Sequence, residues 1–291
     1  MTTQSSEIKE IFEYAKHYDR LGDHYNAIKL FKKLVRLSPE WSVPYQYLGS
    51  IYKTRKEWKP SFHYIQKAIE ADPQDKESWC NLGIVATAMK RWQIARVAWN
   101  ETGYDFNPKK ETAIDAPMGS VPVRLNPNRQ SEIIWATRID PARAYIESIP
   151  HPQSGKRYRD LILIDGAEQG YRIVDNRRLP VYDELSVLQS SRYRTYAVEL
   201  AEVTPNDIDV LDRLCLAADL GFDNWTKATR SVVAQQSGRL PEYYNDLLDE
   251  EWNGDAYVIG IAAKSEAELL ALLKNWEVIT LKNFYDYECV L

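Results

Sequence analysis

Apolar positions in the first third of the chain recur every 34 residues. Three windows superimpose: 8–41, 42–75 and 76–109. They share large residues at the fourth, seventh and twenty-fourth positions and small residues at the eighth and twentieth. In the third window these residues are Trp79, Leu82, Trp99, Gly83 and Ala95. Recurrence at a fixed period of this length indicates an array of like structural units.

Each window predicts a pair of antiparallel helices. Small residues let two helices approach closely, large residues fill the space between them, and a proline ends the second helix. The prolines are Pro39, Pro73 and Pro108, the last one position late. A single hairpin of this kind cannot bury its apolar face, so the three are expected to stack on one another.

This order of residues resembles the tetratricopeptide repeat over residues 8–109. The second and third windows follow the family pattern throughout. The first departs from it at Ile11 and Tyr14 but keeps Gly22, Ala27 and Phe31. The resemblance implies an all-α solenoid whose concave groove binds a protein or peptide partner.

The resemblance also implies which positions line that groove, namely the second, fifth, ninth and twelfth of each first helix. The residues expected to contact a partner are Lys9, Phe12, Lys16, Asp19, Gln46, Ser50, Lys53, Glu77 and Ile84. One end of this surface is basic and aromatic, and the other is nearly neutral. The clamp for C-terminal carboxylates found in part of the family is not expected, because Glu77 would repel a carboxylate.

The third hairpin is not followed by a polar capping helix. After Pro108 the chain continues as KKETAIDAPMGSVPVRLNPNRQ, which has three prolines and no helical period. The exposed face of this hairpin, including Trp92 and Trp99, is therefore expected to be covered by the C-terminal region. The groove itself is either open to a partner or filled by the protein's own next segment.

From Ser131 the pattern changes to short strands separated by turn residues. Residues 1–110 are interpreted as the repeat domain, 111–130 as a linker and 131–199 as a β-rich subdomain with a small antiparallel sheet or partly closed barrel. Hairpin turns are predicted at Asp165-Gly166 and Asp175-Asn176, since Asp and Asn favour such positions.

Residues 200–291 are interpreted as an α+β subdomain. A helix is predicted to begin at Thr204 as N-cap with Pro205 in its first turn. DNWTKATRSVVAQQ and PEYYNDLLDEEW are predicted as two further helices. AYVIGIAA, KSEAELLALLKNW and EVITLKNFYDYECVL are predicted as a strand, a helix and one or two strands. The order resembles a split β-α-β sandwich with an inserted helical pair, so the whole chain is expected to be multidomain.

Charge is distributed unevenly along the chain. The formal net charge is −5, but residues 1–110 carry 18 Lys and Arg against 13 Asp and Glu, residues 111–199 carry 12 of each, and residues 200–291 carry 7 against 17. A basic beginning and an acidic end allow the two parts to attract different partners or each other, and the acidic region could meet a basic partner. Ordinary solvated surfaces explain the same counts.

The positions of the cysteines and the hydropathy of the chain indicate the cellular compartment. The three cysteines, Cys80, Cys215 and Cys289, form no CxxC and lie near no histidine in the sequence. This spacing argues against a structural zinc site and for a reduced environment. Neither a signal peptide nor an apolar run of about 18 residues is present. We expect a cytoplasmic, bacterial protein that does not meet a membrane.

Candidate catalytic chemistry is sparse. The acids of the β-rich segment could supply paired carboxylates or a cation site: Asp160, Asp165, Glu168, Asp175, Asp183 and Glu184. No histidine or cysteine accompanies them, and turn formation explains several of them. Arginines alternate with tyrosines on the same strands, a pattern that could bind RNA, but this segment is neutral overall. GxxxxGK[ST] and GxGxxG are both absent, so no cofactor is expected.

Together these patterns predict a non-catalytic protein-binding protein, acting as a scaffold, adaptor, effector chaperone or toxin-neutralising partner. The alternative is that the C-terminal region is an enzyme or nucleic-acid module whose substrate the repeats recruit.

Overall fold

A computed structural model describes residues 2–129, 131–174, 177–226 and 256–291. The chain divides into two compact units, Met1–Asp115 and Ala116–Leu291. The first is helical and the second contains strands and helices, which confirms the expected multidomain fold class. Among the described residues, no helix is both long and apolar enough to cross a bilayer.

The first unit, which we call the repeat unit, consists of antiparallel helix pairs. Its described helices are α1 (Thr2–Arg20), α2 (His24–Leu37), α3 (Ser42–Thr54), α4 (Trp58–Ala71), α5 (Lys76–Ala88) and α6 (Trp92–Glu101). Each consecutive pair corresponds to one of the 34-residue windows, and α1 begins at Thr2, before the first window. The predicted three helix-turn-helix repeats are therefore confirmed.

The two helices of a hairpin touch where the sequence has glycine. A Cβ atom built on Gly83 would lie 2.5 Å from Cε2 of Trp99, and one built on Gly49 would lie 2.5 Å from Cγ1 of Ile65. Carbon atoms attract best at about 3.5–4.0 Å, so a methyl group at either position would push the helices apart. Trp99 and Ile65 are almost completely buried. The small residue at the eighth position thus sets the distance between paired helices.

The first helix of each hairpin ends at a left-handed residue. The φ angle is 74° at Gly22, 61° at Lys56 and 57° at Lys90, which all occupy the fifteenth position of their windows. The next amide then reaches back into the helix: the Glu57 N–H donates to the Tyr52 carbonyl at 2.9 Å. Glycine adopts this conformation freely, whereas an L-residue with a Cβ atom is strained there by roughly 1–2 kcal/mol.

The chain after α6 folds back along that helix. We call residues 104–113 the strap. The Asn100 side chain donates to the Phe106 carbonyl and accepts the Phe106 N–H. Arg96, which is 4% exposed, donates to the carbonyl oxygens of Lys110 at 3.0 Å and Thr112 at 2.6 Å. The strap therefore covers part of the third hairpin, and its further coverage by the C-terminal region stays a prediction.

The second unit begins with a closed barrel in which strands follow one another in sequence order. Its described strands are β1 (Gly119–Leu125), β2 (Glu132–Arg138), β3 (Arg143–Ile146), β4 (Leu161–Val174) and β5 (Arg177–Gln189). Neighbouring strands pair antiparallel, and β1 closes the barrel by pairing parallel with β5.

Strand β1 lies inside residues 111–130, for which the sequence predicts a linker. Val121, Val123 and Leu125 alternate along it and are buried in the barrel core. The strand is flanked by prolines and has Pro122 within it, so its alternation is too short to stand out against the loop signals. The boundary of the β-rich region therefore precedes Gly119 rather than following Gln130.

A buried ion pair spans the barrel closure. Arg124 Nε and Nη2 donate to the two carboxylate oxygens of Asp183 at 2.6 and 2.7 Å, and both side chains are mostly buried. Burial raises the pKa of the Asp183 carboxyl, and Arg124 opposes that shift. Bidentate geometry fixes the register of β1 against β5, where two residue pairs, Val123 with Tyr182 and Arg124 with Asp183, make the ladder.

Strand β4 continues through Asp165-Gly166, where the sequence predicts a hairpin turn. The pairing of β4 with β5 shifts between Ile164 and Gly170, so an irregularity occurs there instead of a turn. Bulges and turns favour the same residue types, so the two cannot be distinguished by composition. Val174 pairs with Arg177, and Asp175 and Asn176, where the second turn is predicted, lie outside the described residues.

A second sheet follows, with strand order β7-β8-β6-β9. Its described elements are β6 (Arg194–Ala201), α7 (Pro205–Ala217), β7 (Gly221–Asn224), β8 (Ala256–Ala263), α8 (Glu266–Thr280) and β9 (Phe284–Cys289). This order, with the helices after β6 and β8, is the predicted split β-α-β arrangement. Thr204 and Asp207 form a reciprocal capping box at the start of α7. Asp223 and Asn224, predicted to begin the first inserted helix, lie in β7 instead. Residues 227–255, which include the rest of that predicted helix beyond Thr226 and all of the second, lie outside the described residues.

Within the second unit, the barrel and the sheet meet at Trp225. Its indole Nε1 donates to the Ile149 carbonyl at 3.0 Å, and its ring occupies the space that a Cβ atom on Gly260 would need. The rings of Tyr158 and Tyr193 meet edge to face beside it.

Replacing Lys56 with glycine should raise the free energy of unfolding of the repeat unit by about 0.5–1 kcal/mol. The substitution removes the strain of the left-handed backbone conformation, and this gain is larger than the loss caused by the greater conformational freedom of glycine in the unfolded chain. Thermal unfolding of the full chain, followed by far-ultraviolet circular dichroism, measures the change. Lys29→Gly is the matched control, since Lys29 lies inside α2 and glycine there should lower stability by about 1 kcal/mol. A loss of stability in both variants would show that the backbone at Lys56 is not strained.

Replacing Arg96 with alanine should release the strap, because its main-chain acceptors lose a buried cationic donor, at a cost of about 1.5–3 kcal/mol per charged hydrogen bond. Trypsin should then cleave after Lys109 and Lys110 faster than in the wild type. Arg36→Ala, which removes an exposed arginine from α2, should leave the cleavage rate unchanged. Equal rates in all three proteins would show that Arg96 does not hold the strap.

Candidate protein-binding surface

The predicted contact residues lie on the first helices of the three hairpins, α1, α3 and α5. Their side chains differ in accessibility: Lys9 and Glu77 are exposed, and Phe12, Lys16, Asp19, Gln46 and Ser50 are partly buried. Lys53 and Ile84 are buried, with 5% and 0% of their surface exposed. The surface that a partner could reach is therefore smaller than the repeat pattern implies.

The basic end of this surface is built around Phe12. Its ring packs 4.8 Å from Trp41 and 5.8 Å from Tyr47, measured between centroids, at the junction of the first two hairpins. The Lys16 ammonium lies 4.9 Å from the Phe12 centroid and 2.8 Å from a Glu13 carboxylate oxygen. Phe12 is thus both a structural residue and part of a cationic, aromatic surface, which suits an acidic or aromatic ligand.

Asp19 faces a histidine within its own hairpin. Its carboxylate lies 3.6 Å from Nδ1 of His24. Burial raises the pKa of Asp19, and the attraction of His24 opposes the shift. This arrangement joins the end of α1 to the start of α2.

Gln46 and Lys53 join the second hairpin to the third. Gln46 Nε2 donates to Asp75 at 2.7 Å, and the same carboxylate caps α5 by accepting the N–H groups of Glu77 and Ser78. Lys53 Nζ donates to Asn81 Oδ1 at 2.7 Å. These two side chains, two turns apart on α3, therefore stabilise the stacking of hairpins.

The neutral end of the first-helix surface has few accessible side chains that could bind a partner. Ile84 has no exposed surface, so it belongs to the buried residues and not to the contact surface. Glu77 is exposed in the first turn of α5, where a negative charge is favoured by the helix dipole.

A second accessible surface, which the repeat pattern did not indicate, lies between the second and third hairpins. An open apolar pocket of about 360 Å³ is lined by Trp79, Leu82, Ile94, Val97 and Ile69, with Gln66, Glu70 and Gln93 at its rim. Ile94 and Val97 occupy the nineteenth and twenty-second positions of their window. The first two windows have Asn26 and Lys29, and Pro60 and His63, at those positions. Comparing the windows at polar positions, rather than at core positions alone, would have shown this difference.

Three of the candidate acids of the second unit, Asp160, Asp183 and Glu184, are engaged in the fold. Asp160 is buried and accepts the N–H groups of Ser191 and Arg157. Glu184 is buried with Lys156 Nζ at 3.5 Å, and Asp183 pairs with Arg124. Removing one partner of a buried ion pair leaves an uncompensated charge in the barrel, so the fold alone explains the positions of these acids.

The arginines of the same strands cover aromatic rings. The Arg178 guanidinium lies 3.8 Å from the Tyr171 centroid, and the Arg172 guanidinium lies 5.9 Å from the Trp135 centroid. A nucleic-acid base would need such a ring face for stacking. Among the described residues, no group of three or more His, Cys, Asp or Glu side chains is placed to hold a metal ion.

Comparisons with known proteins concern the repeat unit. No family model matches the chain. The chain is 27% identical over 74 residues to tetratricopeptide repeat protein 6 of Homo sapiens, a match that covers 25% of the chain and only 14% of that protein.

Solved structures similar to the chain include an O-GlcNAc transferase of Thermobaculum terrenum (19% identity, TM-score 0.33, 35% of this chain and 19% of that chain). They also include the TPR2B domain of yeast Sti1 in a complex with pHsp70 (20% identity, TM-score 0.32, 33% of this chain and 77% of that chain). The match to human tetratricopeptide repeat protein 6, together with the helix pairs and their 34-residue spacing, confirms that the N-terminal residues resemble tetratricopeptide repeats.

Proposed function

We propose that the chain is a non-catalytic protein-binding protein and that its repeat unit binds a segment of a partner protein. The observation that carries this proposal is the basic, aromatic end of the first-helix surface, where Lys16 lies over the partly buried ring of Phe12 and Lys9 is exposed about one turn earlier on α1. The partner segment would be acidic and would carry an aromatic or aliphatic side chain for the edge of that ring.

Charge supports this choice of ligand. Residues 1–110 carry a formal excess of five positive charges. Lysine side chains near the surface, such as Lys9 and Lys16, contribute little binding energy in water but speed the encounter with an acidic segment. Affinity would come from apolar contact at Phe12 and Trp41, because buried aromatic groups contribute most of the energy of protein interfaces.

The apolar pocket between the second and third hairpins is the second surface that could hold a partner. Its lining is apolar where the equivalent positions of the other hairpins are polar or proline. A partner there would insert an aliphatic or aromatic side chain, and salt would weaken its binding little.

The second unit would add specificity. Residues 200–291 carry ten more acids than bases, which favours a basic partner or a basic region of the same partner. Glu199, Asp286 and Glu288 are exposed on neighbouring strands β6 and β9, so part of this charge lies on one sheet. The roles of scaffold, adaptor, effector chaperone or toxin-neutralising partner are all consistent with this arrangement, in a bacterial cytoplasm.

Reversing the two lysines, Lys9→Glu with Lys16→Glu, should abolish capture of the partner by the tagged full chain from its native cell extract. Lys53 and Phe12 are left intact because they pack between hairpins, so the fold should not change. Mass spectrometry compares the proteins retained by each variant, and raised salt should reduce the wild-type yield.

Lys29→Glu with Lys59→Glu is the matched control, because it reverses two exposed lysines on the second helices. It should retain the partner. Val97→Glu tests the apolar pocket: loss of the partner with this variant alone would move the binding site there. A set of captured proteins that none of these variants changes would argue against protein binding by the repeat unit.

A further inference from the structure

The outer face of α1 carries charges in an order that complements itself. The third, seventh and tenth positions of the second and third windows are buried: Pro44, Leu48, Ile51, Ser78, Leu82 and Val85. In the first window the same positions are Glu10, Tyr14 and His17, and all three are exposed. This is the face on which another hairpin would pack if the array were extended.

That face is not simply a polar cap. Tyr14 is 55% exposed and Leu21, one turn after His17, is 67% exposed. Glu10, Glu13, Tyr14, His17 and Arg20 line a shallow depression of about 350 Å³. A capping face usually carries mixed polar residues, whereas here two acids precede the tyrosine and two basic residues follow it.

The spacing of these residues is symmetric about the level of residue 15. If a second α1 lies antiparallel across this face, with a two-fold axis at that level, Glu10 faces Arg20 of the other copy and Glu13 faces His17. The two Tyr14 side chains then lie about 3 Å apart along the helix axis, because each residue advances the helix by about 1.5 Å. A two-fold interface must be complementary to itself, and this face is.

We propose that two copies of this chain associate through α1, antiparallel, with Tyr14 beside the axis and the Glu10–Arg20 pairs at both ends. One helix from each copy forms the contact, so the interface is at the small end of the known range and the dimer exchanges with monomer. The helix dipole alone also favours acids early and bases late in α1. The experiment must therefore separate pairing between copies from stability within one helix.

Sedimentation velocity of the full chain over a range of concentrations should show a reversible monomer–dimer equilibrium. Glu10→Arg makes both ends of the face basic, and Arg20→Glu makes both ends acidic. Each variant alone should raise the dissociation constant about tenfold, because two attractive pairs become two repulsive ones.

An equal mixture of the two variants should form a heterodimer with a dissociation constant within about threefold of the wild type, since every Arg then faces a Glu. Restoration by mixing cannot arise from the helix dipole, which acts within one chain. Lys29→Glu, a charge reversal on α2, should dimerise like the wild type, and Tyr14→Ala should dimerise more weakly with unchanged circular dichroism.

A wild-type chain that stays monomeric at the highest concentrations would overturn the proposal. So would a dimer that neither charge reversal weakens, or two weakened variants that do not associate when mixed.

Discussion

The repeat unit depends on how closely its paired helices approach. At Gly83 the ring of Trp99 occupies the volume of a missing methyl group, and at Gly49 the side chain of Ile65 does the same. This contact sets the separation of the two helices, and the separation sets how the next hairpin can stack. The presentation of α1, α3 and α5 as neighbouring first helices follows from two glycines that have no functional chemistry of their own.

Stacking and binding compete for the same side chains in this array. Gln46 and Lys53 lie at positions where the repeat pattern suggests ligand contact, yet they bond to Asp75 and Asn81 of the next hairpin. Asp75 and Asn81 are partly buried, and each would lose one hydrogen bond if Gln46 or Lys53 turned towards a ligand. A partner could therefore recruit these side chains only at the expense of the stacking. Specificity for a ligand is left to the positions that stacking does not use, chiefly at the basic end.

The repeat unit could be predicted in detail because its information is periodic. The helix pairs, the small residue at the eighth position and the proline ends each recur three times, so each window supports the others. Burial of Lys53 and Ile84 could not be predicted, because the repeat pattern specifies the direction of a side chain and not what covers it. Strand β1 was missed for a related reason: Val121, Val123 and Leu125 alternate over too few residues, beside prolines, and their pairing partner in β5 is distant in sequence.

The split β-α-β module was predictable where local signals were strong. Thr204 and Pro205 mark the start of α7, and Ser265 with its acidic first turn marks the start of α8. Closure of the barrel could not be predicted beyond the expectation of a small sheet or partly closed barrel. Closure depends on Arg124 meeting Asp183, and nothing near either residue in the sequence indicates the other. An ion pair between residues far apart in the sequence can be identified only when the positions of both strands in the fold are known.

The same closure orders the events of folding during synthesis. The residues that join β1 to β5 are 59 positions apart, so the barrel has an open edge until the second of them has emerged from the ribosome. During that interval β1 and β2 can pair, but the edge of β1 exposes unpaired amides and carbonyls to other chains. The repeat unit, which is built from local contacts, is complete earlier and stays attached to an unfinished barrel. Slow translation over residues 125–183 would therefore lengthen the time during which this edge can pair with another chain.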